Sequence, residues 1–529
     1  MMARAMSQPV PAATREMLQE LVHQFSDPFA FYRELVQNAI DAGSERVEIS
    51  LRFEPALPRG LATVQVQDWG EGMNREVIER FLLTKFRSSK EKDPTKIGKF
   101  GIGFMSVFAP GPELVVVETG RGDEAWRLLL HPDHRYELLR RPEAMRGTRV
   151  VLHKELSAPD YSAFVKSSFD ALRRGCRHSD VEISFAAGGA DGSPPDAARL
   201  VREPFTLDAP FAVEYRDRHT QILAGPSRID PPTYGFYNRG LTLLETQEPF
   251  FPGVTLKVIS SRLEHTLTRD NVRRDASFER VLASARKLID GPLMRRLPGE
   301  LRRSADGEGS WDDYLTLLSF ARTRLPPDKL WLRQPSGPGV QGKALRRARR
   351  ALLFAHGRDP LVDALLAQGT NVLLADSSLR PIERARESLE LPEALRVSDA
   401  FAMALRRSRD DAAPVLCLAL QSLLDAAGCR AGRVQVGEVL GAGARRLCVC
   451  VEDFGRPAAA ADALRSPFAS PAPALLCLNG ADRRVARAIQ LAATGPHLAA
   501  LLVFRLLALR FGRLDEHTYW KATETVLLS

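Results

Sequence analysis

Along the first 187 residues the apolar positions switch between helical and strand periods, which predicts a mixed α/β fold. TREMLQELVHQF, starting at Thr14, has a helical repeat. A second helix is predicted with Asp27 as N-cap and Pro28 at its first position, running through FAFYRELVQNAIDAG to Gly43. RVEISLRF alternates as a half-buried strand does, and the strand LATVQVQD follows it. A short helix, NREVIERFLL, leads into a polar loop, and IGKFGIGFMSVF opens another helix. ELVVVETG, EAWRLLLH and GTRVVLH supply three more strands, before a helix at YSAFVKSSFDALRRG and a strand at VEISF.

The run AAGGADGSPPDAA has the composition of a linker. Beyond it, strands extend to about residue 260, followed by the polar EHTLTRDNVRRD and a helical run through ARTRL. After a second break, RQPSGPGVQG, the segment ALLFAHGRDPLVDALLAQGTNVLLAD reads strand–helix–strand, a small parallel unit. The remainder holds a helix (VLCLALQSLLDAAG), three strands (RVQVGEV, RRLCVCVE, PALLCLN) and a closing helical hairpin rich in Leu and Ala. A chain of 529 residues is too long for one core, and these breaks predict three α/β or α+β domains, 1–187, 198–400 and 401–529.

Composition narrows the class. With 44% apolar and 26% charged residues, wholesale disorder and a collagen-like chain are excluded. The longest membrane-span candidate, HLAALLVFRLLALRF, is broken by Arg505 and Arg510, and the N-terminus lacks a signal-type apolar core. A soluble, cytoplasmic protein with no membrane partner is expected. The net charge is +9, but the 62 Arg are scattered and aromatics make up only 7%, which argues against a nucleic-acid surface. Five of the 12 Lys (85, 90, 92, 96 and 99) cluster in one polar loop, read as solvated. The six cysteines form no C-x-x-C pair and read as buried free thiols.

Four segments carry candidate chemistry. Glu34, Asn38 and Asp41 are spaced to lie on neighbouring positions of one helix face, whose apolar remainder fits packing on a sheet. Asp68-Trp-Gly70-Glu-Gly72-Met73 puts a carboxylate at a strand end before two glycines, a tight turn that admits a flat ligand close to the backbone. Gly98, Gly101 and Gly103 open an apolar segment where backbone amides can face a phosphate. Gly147-Thr148 begins a strand. Each is weak alone.

Their order and spacing together resemble the GHKL ATP-binding superfamily, which includes DNA gyrase B, MutL, sensor histidine kinases and the ninety-kilodalton heat-shock chaperones. FYRELVQNAIDA, IGKFGIGFMSVF and GTRVVLHKE are most similar to the chaperone branch. LTRDNVRRDASF resembles its middle-domain catalytic loop, LLFAHG…LLAQGTNVLLAD the distal part of that domain, and LLCLNGADRRVARAIQL its C-terminal dimerisation module. The resemblance implies a Bergerat-type ATP-binding α/β sandwich, an α/β middle domain and a small α+β dimerisation domain. It further implies an ATPase with Glu34 as the base, Arg33 holding that carboxylate, and Arg274 as a charge stabiliser from the second domain. Asp68 would accept from the adenine amine, with Gly72, Met73 and Thr148 at that end. Asn38 would ligate Mg²⁺, Gly98, Gly101 and Gly103 would cradle the phosphates, and Asp41 and Phe104 complete the ATP-binding set.

By the same resemblance the protein is expected to be a homodimeric, ATP-driven chaperone acting on protein clients. The sequence departs from that family in its lid loop, in Phe278 where the family has Gln, and in a short final domain. The alternatives are an ATP-switched clamp dedicated to one partner or defence system, and a MutL- or gyrase-like nucleic-acid-gating ATPase.

Overall fold

The computed structural model describes residues 27–82, 103–133, 135–266, 271–348, 350–376, 379–429, 432–512 and 516–527. The chain forms two compact units, Met1–Leu293 and Met294–Ser529.

The first unit is built on an eight-stranded sheet. Its strands are β1 (Arg46–Glu54), β2 (Gly60–Asp68), β3 (Leu114–Arg121), β4 (Glu124–Leu130), β5 (Tyr136–Arg140), β6 (Gly147–Leu156), β7 (Glu182–Ala187) and β8 (Arg199–Leu200). They lie in the order β5-β4-β3-β6-β2-β1-β7-β8, with β1 and β7 parallel and the other pairs antiparallel. The period-2 pattern of β1 turns Val47, Ile49, Leu51 and Phe53 inward. Helices α1 (Ala30–Asp41) and α2 (Ala158–Cys176) supply Phe31, Leu35, Val36, Phe164 and Leu172 to the same core. Phe53 stacks on Tyr161 with ring centroids 4.7 Å apart. On the sheet, the buried Glu118 carboxylate takes Arg127, Arg141 and Arg149 at 2.6, 3.1 and 3.4 Å.

A second sheet in this unit runs β12-β11-β13-β10-β9. It comprises β9 (Val213–Arg216), β10 (Thr220–Pro226), β11 (Tyr234–Asn238), β12 (Leu241–Thr246) and β13 (Val254–Ser260), followed by helix α3 (Ala276–Leu288). The β11–β12 turn consists of Arg239 and Gly240, at φ 47° and 78°, the backbone of a tight two-residue hairpin. Its tip is pressed against the first sheet's layer: a Cβ at Gly240 would lie 2.0 Å from the His178 carbonyl oxygen. The next residue, Leu241, is buried in the core of the first sheet.

The second unit begins with α4 (Met294–Ala305) and α5 (Trp311–Arg322), then the small ladder β14 (Trp331–Leu332) with β15 (Val340–Gln341). The expected parallel unit follows, with β16 (Leu352–Ala355), α6 (Pro360–Ala367) and β17 (Leu373–Leu374), joined by α7 (Arg380–Leu389) and a third parallel strand, β18 (Ala394–Arg396). The last sheet, β21-β23-β20-β19-β22, contains β19 (Phe401–Arg407), β20 (Arg433–Gly441), β21 (Cys448–Val451), β22 (Ala458–Ala459) and β23 (Leu475–Asn479). It packs with α8 (Ala413–Ala426), α9 (Arg483–Ala492), α10 (Pro496–Phe511) and α11 (Glu516–Leu527).

Several sequence expectations change. Helix α1 starts at Ala30, with Phe29 as an N-cap that makes no side-chain bond. Asp27 instead closes the preceding turn, its Oδ1 accepting from Phe29 N (2.9 Å) and its carbonyl from Ala30 N (3.1 Å). The segment Gly103–Phe108 is a short 3₁₀ helix pinned by Ser106 Oγ on the Gly103 carbonyl (2.6 Å), and Pro110 and Gly111 lie just beyond it. Strands β5, β8, β14, β15, β18, β19 and β22 are absent from the sequence prediction; β8 extends the first sheet past residue 187 by pairing with β7. The predicted helix at 14–25 and the lysine-rich loop lie outside the described residues. All six cysteines are free, with Cys448 and Cys450 buried on β21. Among the described residues no helix is long and apolar enough to cross a membrane.

Candidate functional site

A cavity of about 350 Å³ opens between α1 and the sheet. Its walls are mainly apolar, from Leu35, Val66, Met73, Val77, Phe104, Val117 and Val150, and its polar groups are Asn38, Asp41, Asp68, Glu71 and Thr148. An apolar slot with a few convergent polar groups suits a flat heteroaromatic ligand.

One end is built by close backbone approach. Gly72 has φ 66°, and a Cβ there would lie 2.1 Å from the Gly120 carbonyl oxygen; at Gly147 (φ 82°) it would lie 2.2 Å from the Asp68 carbonyl oxygen. Only glycine combines that backbone with that proximity. The turn after β2 therefore lies flat on the starts of β6 and the end of β3. Asp68 Oδ1 accepts from Gly70 N (2.8 Å) and Thr148 N (3.2 Å), and neither bond uses Oδ2. Thr119, missed in the sequence because it stands in an apolar strand run, is the buried hub of this end. Its Oγ1 accepts from Met73 N (2.9 Å) and lies 3.0 Å from Thr148 Oγ1 and 3.2 Å from the Gly147 carbonyl.

Burial pushes the Asp68 carboxyl above its ordinary value, against the two N–H donors that pull it down. A carboxyl raised on folding costs stability when ionised; that cost is present above its folded pKa and vanishes as pH falls below the unfolded value. Ligand binding through the carboxylate has the opposite sense, weakening as pH falls through the raised pKa. Asp68→Asn should weaken binding of an adenine nucleotide by about ten- to a hundredfold, since a buried polar mismatch costs roughly 1–3 kcal/mol. Titration calorimetry of both proteins tests this, and equal affinity would exclude the role.

Helix α1 passes Asn38 and Asp41 into the cavity wall and carries Glu34 one turn earlier, buried. Arg33 Nη2 lies 3.2 Å from Glu34 Oε1, while its Nη1 donates to the Thr242 carbonyl at the start of β12 (2.7 Å). Asp41 meets Arg239 from the hairpin turn at 3.1 Å. The structure thus gathers Asn38, Asp41, Asp68, Gly72, Met73, Phe104 and Thr148 around one cavity. Glu34 and Arg33 stand behind its wall, and Gly103 opens the 3₁₀ helix that contributes Phe104. Gly98 and Gly101 lie outside the described residues. Arg274 is not a wall residue; its guanidinium is held in a two-armed pair by Glu248. Contacts such as Arg33–Thr242, 209 positions apart, leave no local pattern in the sequence.

The profile of the histidine kinase-, DNA gyrase B- and HSP90-like ATPases matches residues 30–136, the segment holding α1, the Asp68 turn and the 3₁₀ helix. This part of the chain is a GHKL-type ATPase domain. Chaperone protein HtpG of Mesorhizobium japonicum is 33% identical over 446 residues, covering 69% of this chain and 70% of that protein. The chain belongs to the HtpG chaperone family. Chaperone protein HtpG of Methylobacterium sp. (strain 4-46) is 29% identical over 219 residues, and that of Methylobacterium nodulans 28% over 220. Each of these two matches spans 36% of either chain, about a third of the relatives' length.

Proposed function

We propose that the protein is an ATP-hydrolysing chaperone acting in the cytoplasm as a homodimeric clamp on protein clients. The observation that carries this reading is the cavity itself, with a carboxylate and interlocked glycines at one end and the Arg33–Glu34 pair on the helix that supplies Asn38. Asp68 Oδ2 would accept from an adenine amine, and Met73 and the valines of the wall would flank the ring. Glu34 would take a proton from the attacking water, a reading supported by its buried carboxylate one helical turn before Asn38. Arg33 positions it, and Arg274 would stabilise charge at the γ-phosphate once freed from Glu248.

Asn38, on the cavity wall, would offer its amide oxygen to Mg²⁺. Among the described residues no cluster of three or more His, Cys, Asp or Glu could hold a resident metal. Mg²⁺ would arrive with the phosphates and retain much of its water. When bound it would neutralise phosphate charge.

Helix α10 supports the dimer. Ala499, Ala500, Val503, Phe504 and Leu507 are buried in the last core, yet Leu498, Leu502 and Leu509 of the same helix remain 52, 45 and 77% exposed. An apolar helix face left over in this way is a surface for a second copy. Light scattering should give twice the chain mass at tens of micromolar. In the same preparation, ATP should alter the suppression of aggregation of an unrelated unfolded protein. A monomer, or no suppression with or without ATP, would overturn the general-chaperone reading; specific capture of one protein would favour the dedicated clamp.

A further inference from the structure

We propose that Arg239, in the hairpin turn of the second sheet, is a positioning residue that neutralises Asp41 and so lets the cavity accept a polyphosphate. The inference rests on the nucleotide reading above. Three carboxylates line the cavity, those of Asp41, Asp68 and Glu71, and among the described residues no Lys or Arg does. Left uncompensated, such a wall repels a polyanion. Two of the three acids are met by an arginine that is not itself part of the wall. Arg239 Nη1 lies 3.1 Å from Asp41 Oδ1, and Arg121 Nη2 lies 2.8 Å from Glu71 Oε2. Asp68 receives backbone N–H groups instead, from Gly70 and Thr148.

Arg239 stands on backbone that its own side chain disfavours. Among the described residues of the first unit it is the one non-glycine residue in the left-handed region, at φ 47°, followed by Gly240 at φ 78°. Asparagine or glycine suits the first position of such a turn, whereas a long L side chain there is strained. Arg239 supplies what neither of them can, a cation with the reach to leave the second sheet and meet α1. The tip that carries it is fixed in place. Gly240 packs against the His178 carbonyl, and Thr242 donates its Oγ1 to the Arg174 carbonyl while its own carbonyl accepts from Arg33. The guanidinium is thus held beside Asp41 by the second sheet and not by α1. With the two side chains 53 and 29% exposed, water screens the pair and limits its effect to a few fold.

The test is calorimetry of ATP and ADP binding to the full chain at low salt and fixed Mg²⁺, with adenosine measured by displacement. Wild type is compared with Arg239→Asn, Arg239→Lys, and Arg239→Asn combined with Asp41→Asn. Asparagine keeps the turn and removes the cation, so the melting temperature should not fall. In Arg239→Asn the ratio of ATP to adenosine affinity should drop about two- to fivefold, with ADP between, because only the phosphates feel the uncovered Asp41 charge. High salt should erase the drop. Arg239→Lys should keep the wild-type ratio, and adding Asp41→Asn to Arg239→Asn should restore it. Equal weakening of all three ligands, or none, overturns the neutralisation while leaving the nucleotide site standing. A phosphate-dependent loss that Asp41→Asn does not restore also overturns it, and assigns Arg239 to the phosphates directly. If wild type binds none of the three, the nucleotide reading and this inference fall together.

Discussion

Glu34→Ala is expected to bind ATP with near-normal affinity and to hydrolyse it about 10²–10⁴ times more slowly, the range for loss of a general base. The expectation follows from where the side chain sits. Glu34 is buried behind the cavity wall, one helical turn from Asn38, and belongs to none of the contacts that build the Asp68 end. Removing it takes away a proton acceptor without filling the slot. It also leaves Arg33 anchored to the Thr242 carbonyl, so the helix keeps its tie to β12. Calorimetry and phosphate release on the same sample separate the two effects. Hydrolysis within a few fold of wild type would remove Glu34 as the base.

Gly72→Ala should abolish nucleotide binding and lower the melting temperature. The added methyl would meet the Gly120 carbonyl oxygen at 2.1 Å and the Gly147 carbonyl oxygen at 2.9 Å, both backbone atoms with little room to yield. Overpacking of this kind costs about 1–3 kcal/mol, and a left-handed alanine adds about 1–2 kcal/mol. Gly43→Ala is the control, because Gly43 has φ 72° with nothing within 4 Å of an added Cβ. It should show only the smaller backbone cost and bind ATP normally. If the two variants melt and bind alike, the close approach at Gly72 is not what shapes the site.

Local chemistry is what the sequence displays well. The polar stripe of α1, the Asp68–Gly72 turn and the alternation of β1 each arise from residues a few positions apart. The three strands of the last sheet at 433–441, 448–451 and 475–479 were legible for the same reason. Short edge strands were not: β8 has two residues, both exposed, and its place is set by pairing with β7. Asp27 resembles an N-cap in sequence, yet its hydrogen bonds close a turn one step earlier. Thr119 looks like one polar residue in an apolar strand until Met73, Gly147 and Thr148 come together around its hydroxyl. The pairing of Arg274 with Glu248 joins two loops 26 positions apart, and no periodicity reports it.

Leu241 has a consequence for how this chain can be divided. It follows the hairpin turn of the second sheet, but its side chain completes the core of the first. Beside it, Thr242 Oγ1 donates to the Arg174 carbonyl at 2.6 Å. A fragment ending at the glycine- and proline-rich stretch would keep every residue of the cavity wall, yet lose the plug for an apolar socket and the acceptor for Arg33. The stretch that most invites a cut therefore lies inside one compact unit, and Leu241 ties the core of the nucleotide-binding layer to chain made some forty residues later.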